Sequence, residues 1–145
     1  MEMKTKIALL TATLLMSACA IRQQVRPVER FEEKQVCIVE NTAVKNGFLE
    51  VYRRTLTQKG YEVRVMPASA ALTECPIMST YTANWRWDLA TYMAFAEIKV
   101  YKNAKPSGEA VYDSTHGSGN MNKFISAETK ITELVNQLFP GGSGR

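Results

Sequence analysis

The chain has 145 residues, a formal net charge of +4, three cysteines and one histidine. That length suits one domain around one hydrophobic core. So mild a basic excess, without a Lys/Arg cluster interleaved with aromatics, argues against nucleic acid as a partner. A lone His116 and well-separated cysteines argue against a metal site.

In chain order, positions 1–6 (MEMKTK) form a short basic region with two lysines and one glutamate, and positions 7–16 (IALLTATLLM) are uncharged and apolar. Small residues follow in Ser17-Ala18-Cys19-Ala20. The apolar run is too short for a bilayer core of roughly 30 Å, which needs about 20 residues, and it predicts a signal peptide over 1–18. Leu15-Met16-Ser17-Ala18-Cys19 resembles the lipobox of bacterial lipoproteins, with Met16 standing where leucine is usual. The resemblance implies cleavage before Cys19, palmitate-type acylation of its sulfur and a lipid anchor in the membrane. Two or three acyl chains, at about 0.8 kcal/mol per buried methylene, make detachment negligible. Ala20 after the cysteine implies delivery to the outer membrane, facing the periplasm, because inner-membrane retention goes with Asp there. Ala18-Cys19-Ala20 also reads as an A-x-A site for the ordinary signal peptidase, which would release a soluble periplasmic protein.

Either cut exports the rest of the chain, so Cys37 and Cys75 are expected to form a disulfide. Residues 19–34 (CAIRQQVRPVERFEEK) are polar and charged and read as a lipidated cysteine with a flexible tether. The folded domain is expected over 35–140. It opens with a β-branched strand at 35–40, then a helix from an Asn46 N-cap to about 59, ended by Gly60. Phe48, Val51, Tyr52 and Leu56 make its apolar stripe. A strand at 61–66 completes a βαβ unit. After a loop at 67–74, the run 77–87 alternates, with Ile77, Tyr81, Ala83, Trp85 and Trp87 on one face. A turn leads to a strand at 92–101, where Ala94, Ala96, Ile98 and Val100 share a face. A turn over 102–108 and a strand at 109–114 follow. A closing helix over about 123–139 buries Phe124, Ala127, Ile131, Leu134, Val135 and Leu138, and Pro140-Gly141-Gly142 stops it before a loose tail at 141–145. The expected fold is therefore α+β, a single domain of order β-α-β-β-β-β-α, with two helices packed on one face of a mixed five-stranded sheet.

Trp85-Arg-Trp-Asp88, the Ala-rich strand after it and the terminal helix from Lys123 to Phe139 resemble small uncharacterised periplasm-facing lipoproteins of Gram-negative bacteria. The layout is similar to that of LptE-like assembly lipoproteins. The resemblance implies fold and location and assigns no functional residue.

Trp85, Arg86, Trp87 and Asp88 could form a platform for a lipid or glycan, the indoles stacking and Arg86 or Asp88 binding polar groups. The structural alternative packs both indoles under the helices. Met93 and Phe95 are expected on the uncovered sheet face as an apolar patch for an envelope protein partner. His116 with Ser114 or Ser118 lacks an orienting acid and a nucleophile elbow, and Gly117-Ser118-Gly119 lacks the lysine of a phosphate-binding loop. The reading is a non-enzymatic accessory or interaction module of the cell envelope, without cofactor. A lipid- or glycan-binding domain is the alternative.

Overall fold

A computed structural model describes residues 20–142. The signal-peptide segment, the Cys19 lipidation site and the last three residues of the expected tail lie outside the described residues. In chain order the elements are β1 (Arg22–Arg26), β2 (Gln35–Val39), α1 (Asn46–Gln58), β3 (Glu62–Met66), β4 (Ile77–Asp88), β5 (Ala90–Lys102), β6 (Lys105–Asp113) and α2 (Ala127–Leu138). A 3₁₀ turn, Met121–Phe124, precedes α2. The strands form one mixed sheet in the order β1-β6-β5-β4-β2-β3. β2 runs parallel to both β3 and β4, and the other neighbours are antiparallel.

The α+β class, the two helices and the mixed sheet match the sequence expectation, and the sheet has six strands rather than five. Both helices bury their stripes against one sheet face. Phe48, Tyr52 and Leu56 of α1 and Ile131, Leu134 and Leu138 of α2 share a core with Val36, Ile38, Ile77, Ala96, Ile98 and Tyr112. Tyr52 donates to Ser79 Oγ at 2.8 Å, and Ser79 in turn donates to the Lys99 carbonyl at 2.9 Å. Complete burial drives the Tyr52 phenol well above its ordinary pKa, against a smaller lowering by Ser79, so it stays a neutral donor. The closing helix is shorter than its apolar pattern suggests. Ser126 accepts from Thr129 N at 3.1 Å and caps α2, while Asn120 accepts from Asn122 N at 3.0 Å and caps the separate 3₁₀ turn.

The sixth strand corrects the tether expected over 19–34. β1 adds antiparallel to β6, from Arg22 opposite Asp113 to Arg26 opposite Glu109. The segment then stays docked: Val28 N donates to the Leu138 carbonyl at 2.9 Å, and Phe31 packs between Tyr61 and Phe139 with ring centroids 5.6 and 6.4 Å away. Gln23 ties β1 to α2, donating to Glu133 Oε1 at 2.8 Å and accepting from Lys130 Nζ at 2.9 Å. Lys130 also bonds Glu133 Oε2 at 2.8 Å.

This cluster has a pH signature. The hydrogen bond from Lys130 holds the Glu133 carboxyl below its usual range, outweighing partial burial, and Gln23 adds to the lowering. A carboxyl lowered on folding stabilises the fold above its unfolded pKa, about 4.3, and that contribution fades as pH falls through the folded value. The urea midpoint is therefore expected to fall on acidification below the ordinary glutamate range, and Glu133→Gln should flatten that part of the profile. An unchanged profile in the variant would leave the cluster without a role in acid stability.

The face opposite the helices is only partly open. Residues 67–76 fold over its β2–β4 end, where Cys37, Met66, Cys75 and Met78 form a second small core with Ala70, Leu72 and Tyr101 at its margin. The expected Cys37–Cys75 disulfide is present here, spanning 38 residues. The turn between β5 and β6 is tighter than the Pro- and Gly-containing run 102–108 suggests. Asn103 and Ala104 form a two-residue loop with φ of 49° and 63°, Lys102 pairs with Lys105, and β6 begins at once. No helix among the described residues is long and apolar enough to cross a membrane.

Candidate interaction site at the tip of the long hairpin

The Trp85–Asp88 stretch forms the outer end of the β4–β5 hairpin. A register shift at Asn84/Trp85 sets its geometry: Asn84 pairs with Phe95, but Trp85 pairs with Met93, so Ala94 is the extra residue. The bulge reverses the parity of β5. Met93, expected on the uncovered face beside Phe95, is therefore buried in the helix-side core, while Phe95 stays half-buried on the opposite face. Strict alternation cannot reveal such a shift. The Met93–Phe95 patch does not exist as a pair.

The two indoles also part company. Trp85 packs against the core margin, half-buried, with Lys45 Nζ 5.1 Å from its ring centroid. Trp87 is 74% exposed. Arg86 is exposed and makes no ion pair among the described residues. Leu89, at the turn, is 84% exposed and sits at φ 62°. A left-handed conformation costs an ordinary L-residue roughly 1–2 kcal/mol, and Gly or Asn would fit it better. Leucine here serves neither the turn nor the core.

Asp88 ties the turn to a segment distant in sequence. Its Oδ2 accepts from Lys123 Nζ at 2.5 Å, and that lysine is almost wholly buried, also donating to the Ser118 carbonyl. Its ammonium lies 5.3 Å from the Tyr92 ring and 5.2 Å from the Phe124 ring, which themselves meet at 5.5 Å. The ion pair and ring contact fasten the hairpin tip to the 3₁₀ turn. Met121, in that turn, is 70% exposed. The large hydrophobics exposed among the described residues are thus Trp87, Leu89 and Met121, carried on two segments locked together. The sequence marked Trp87 by its residue type. Leu89, Met121 and Lys123 carried no comparable signal, because only the fold brings residue 123 to residue 88.

Ser114 is buried, and its hydroxyl donates to the Met93 and Ala94 carbonyls at 3.3 and 3.2 Å. It braces the bulge. His116 Nδ1 lies 3.4 Å from Thr115 Oγ1, and the nearby Asp113 carboxylate is taken up by the Thr115 amide and hydroxyl. Partial burial pushes that carboxyl up, but the Thr115 hydrogen bonds outweigh it and hold it below the usual range. No cluster of three or more metal-ligating side chains occurs among the described residues.

Two hollows flank the N-terminal segment. One, of about 670 Å³, is lined by Phe31, Tyr61 and Pro140 among others. The second, of about 780 Å³, is lined by Ala20, Ile21, Tyr112, Met121, Phe124 and Lys130 among others. It places the start of the described chain beside Met121. Neither hollow borders Trp85 or Arg86.

No family model matches the chain, and no curated protein matches it. Two solved structures of PelC dodecamers from Paraburkholderia phytofirmans are similar in fold. One superposes with a TM-score of 0.57 at 11% identity, covering 87% of this chain and 100% of that one. The other gives 0.54 at 14% identity, covering 86% and 99%. The element order in the sequence suggests an LptE-like layout; these two structures are of PelC. At such identities the likeness is one of fold alone.

Proposed function

We propose that this chain is a periplasm-facing outer-membrane lipoprotein, acylated at Cys19, that acts without catalysis as an accessory module of the envelope and assembles with copies of itself. The observation that carries the reading is the docked N-terminal segment. Because β1 is part of the sheet, a lipid on Cys19 would fix the domain closely to the membrane, as suits a part of a membrane-seated assembly. The two free sheet edges, β1 and β3, lie at opposite ends of the sheet, and two different edges can join head to tail into a ring. The PelC structures of like fold are dodecamers, which supports the same habit here.

The test is intact mass and light-scattering mass of the mature protein extracted from membranes, beside a Cys19→Ala variant. An acylated N-terminus lost in the variant, with a particle of many copies, is the expected result. An unacylated chain beginning at Ile21 would mean that Ala18-Cys19-Ala20 is the cut and would end the anchor reading. An acylated monomer would end the assembly reading. The second reading, a lipid- or glycan-binding domain, draws on the exposed Trp87 beside Arg86, since an open indole can stack on a sugar ring. Saturable quenching of Trp87 emission by envelope glycans would favour it.

A further inference from the structure

The exposed apolar tip lies at the same end of the molecule as the point where the chain would meet its lipid, and simple lengths connect the two. One rung crosses four strands: Arg22 of β1 opposite Asp113 of β6, Asp113 opposite Phe95 of β5, and Phe95 opposite Asn84 of β4. Beyond it β1 and β6 stop, while β4 and β5 continue for four more pairs, from Trp85–Met93 to Asp88–Ala90. At about 3.3 Å per residue the hairpin projects roughly 13 Å past the rung. The chain leaves Arg22 in the same direction. Ile21 approaches Gly117, and Ala20 shares a hollow with Met121. Between Arg22 and Cys19 there are three residue steps, at most about 11 Å fully extended.

A leaflet that holds Cys19 therefore lies no farther from the rung than the hairpin reaches. In an upright domain the tip enters the headgroup layer. Its composition suits that layer: Trp87 is an amphipathic indole of the kind that collects at membrane interfaces, flanked by exposed Leu89 and Met121. Arg86 is an open cation for anionic headgroups, and the Asp88 charge is already matched by Lys123.

We propose that Trp87, Leu89 and Met121 form a membrane-contacting foot, seated in the phospholipid leaflet that carries the Cys19 lipid. The proposal rests on the anchor reading above for its geometry, and the experiment separates the two. Mature protein is reconstituted into vesicles of phosphatidylethanolamine and phosphatidylglycerol containing a phosphatidylcholine brominated high on its acyl chains. Trp85→Phe leaves Trp87 as the sole indole, and Trp87→Phe leaves Trp85. The expected result is loss of emission and a blue shift in the Trp85→Phe protein, with the Trp87→Phe protein unchanged. Intact mass of the same samples reports acylation independently. An acylated, vesicle-bound protein whose Trp87 is not quenched would overturn the foot and leave the anchor standing. An unacylated protein whose Trp87 is quenched would keep the foot and remove the anchor. Trp87 emission already blue in detergent and indifferent to bromine would mean that a second copy covers the tip, and the proposal would fall.

Discussion

Removing the Cys37–Cys75 bridge is expected to lower stability by about 4 kcal/mol, the chain-entropy value for a loop of this size. That is a large part of the roughly 5–15 kcal/mol that holds a typical domain together. The bridge spans 38 residues, from the middle of β2 through α1 and β3 to the loop before β4. It also pins residues 67–76 across sheet surface that would otherwise be wet, where Met66 and Met78 are buried against Ala70 and Leu72. Few apolar contacts besides these hold that segment, so its closure depends on the covalent link. The measurement is the urea midpoint of the oxidised protein, the reduced protein and a Cys37→Ala/Cys75→Ala variant, with hydrogen exchange over 67–76. The oxidised form should be the most stable by far, and exchange should rise first in 67–76. A difference below about 1 kcal/mol would mean that the reduced unfolded chain is already compact enough to hold the loop ends together.

What could be read from the sequence was whatever pays in periodic burial. The stripes of α1 and α2 were visible because Phe48, Tyr52 and Leu56, or Ile131, Leu134 and Leu138, must all reach one core. β2 and the inner part of β4 were visible for the same reason. β1 was not. As an edge strand it buries only alternate side chains and those only halfway, and its sequence, RQQVR, offers a single apolar residue. Its contribution is made with backbone hydrogen bonds and Gln23, neither of which leaves a hydropathy pattern. The bulge at Ala94 was equally hidden, since an extra residue in an Ala-rich strand looks like ordinary alternation. That one residue moved Met93 from the expected patch into the core. The foot could not be read at all, because it depends on how far a hairpin overshoots its neighbours and on a lysine brought from 35 positions away.

Substituting Gly108 with alanine is expected to destabilise the protein by about 1–3 kcal/mol, the range for overpacking a close contact. Gly108 lies in β6, on the face that the helices cover, and the chain leaving β1 crosses directly over it. A Cβ there would come within 2.7 Å of Val28 Cγ1, 2.8 Å of Val28 N and 2.9 Å of Val28 Cα. Two of those atoms are backbone and cannot rotate away, so the segment itself must lift. Lifting it strains the bond from Val28 N to the Leu138 carbonyl and the one from Glu29 N to Ser107 Oγ. Chain entropy pulls the other way, since alanine in a strand is favoured over glycine by roughly 0.5–1 kcal/mol. The sign of the change therefore decides between two states of residues 20–34. A docked segment makes Gly108→Ala destabilising, whereas a loose tether leaves only the entropic gain and makes it stabilising. Gly47→Ala serves as the control: no atom lies within 4 Å of its added Cβ, and in the first turn of α1 it should stabilise by up to about 1 kcal/mol. Urea midpoints of the two variants, with limited tryptic proteolysis after Arg22 and Arg30, read both effects. Midpoints that rise in both variants, with cleavage at those arginines unchanged from the parent protein, would return the segment to a tether and remove the short leash on which the membrane foot depends.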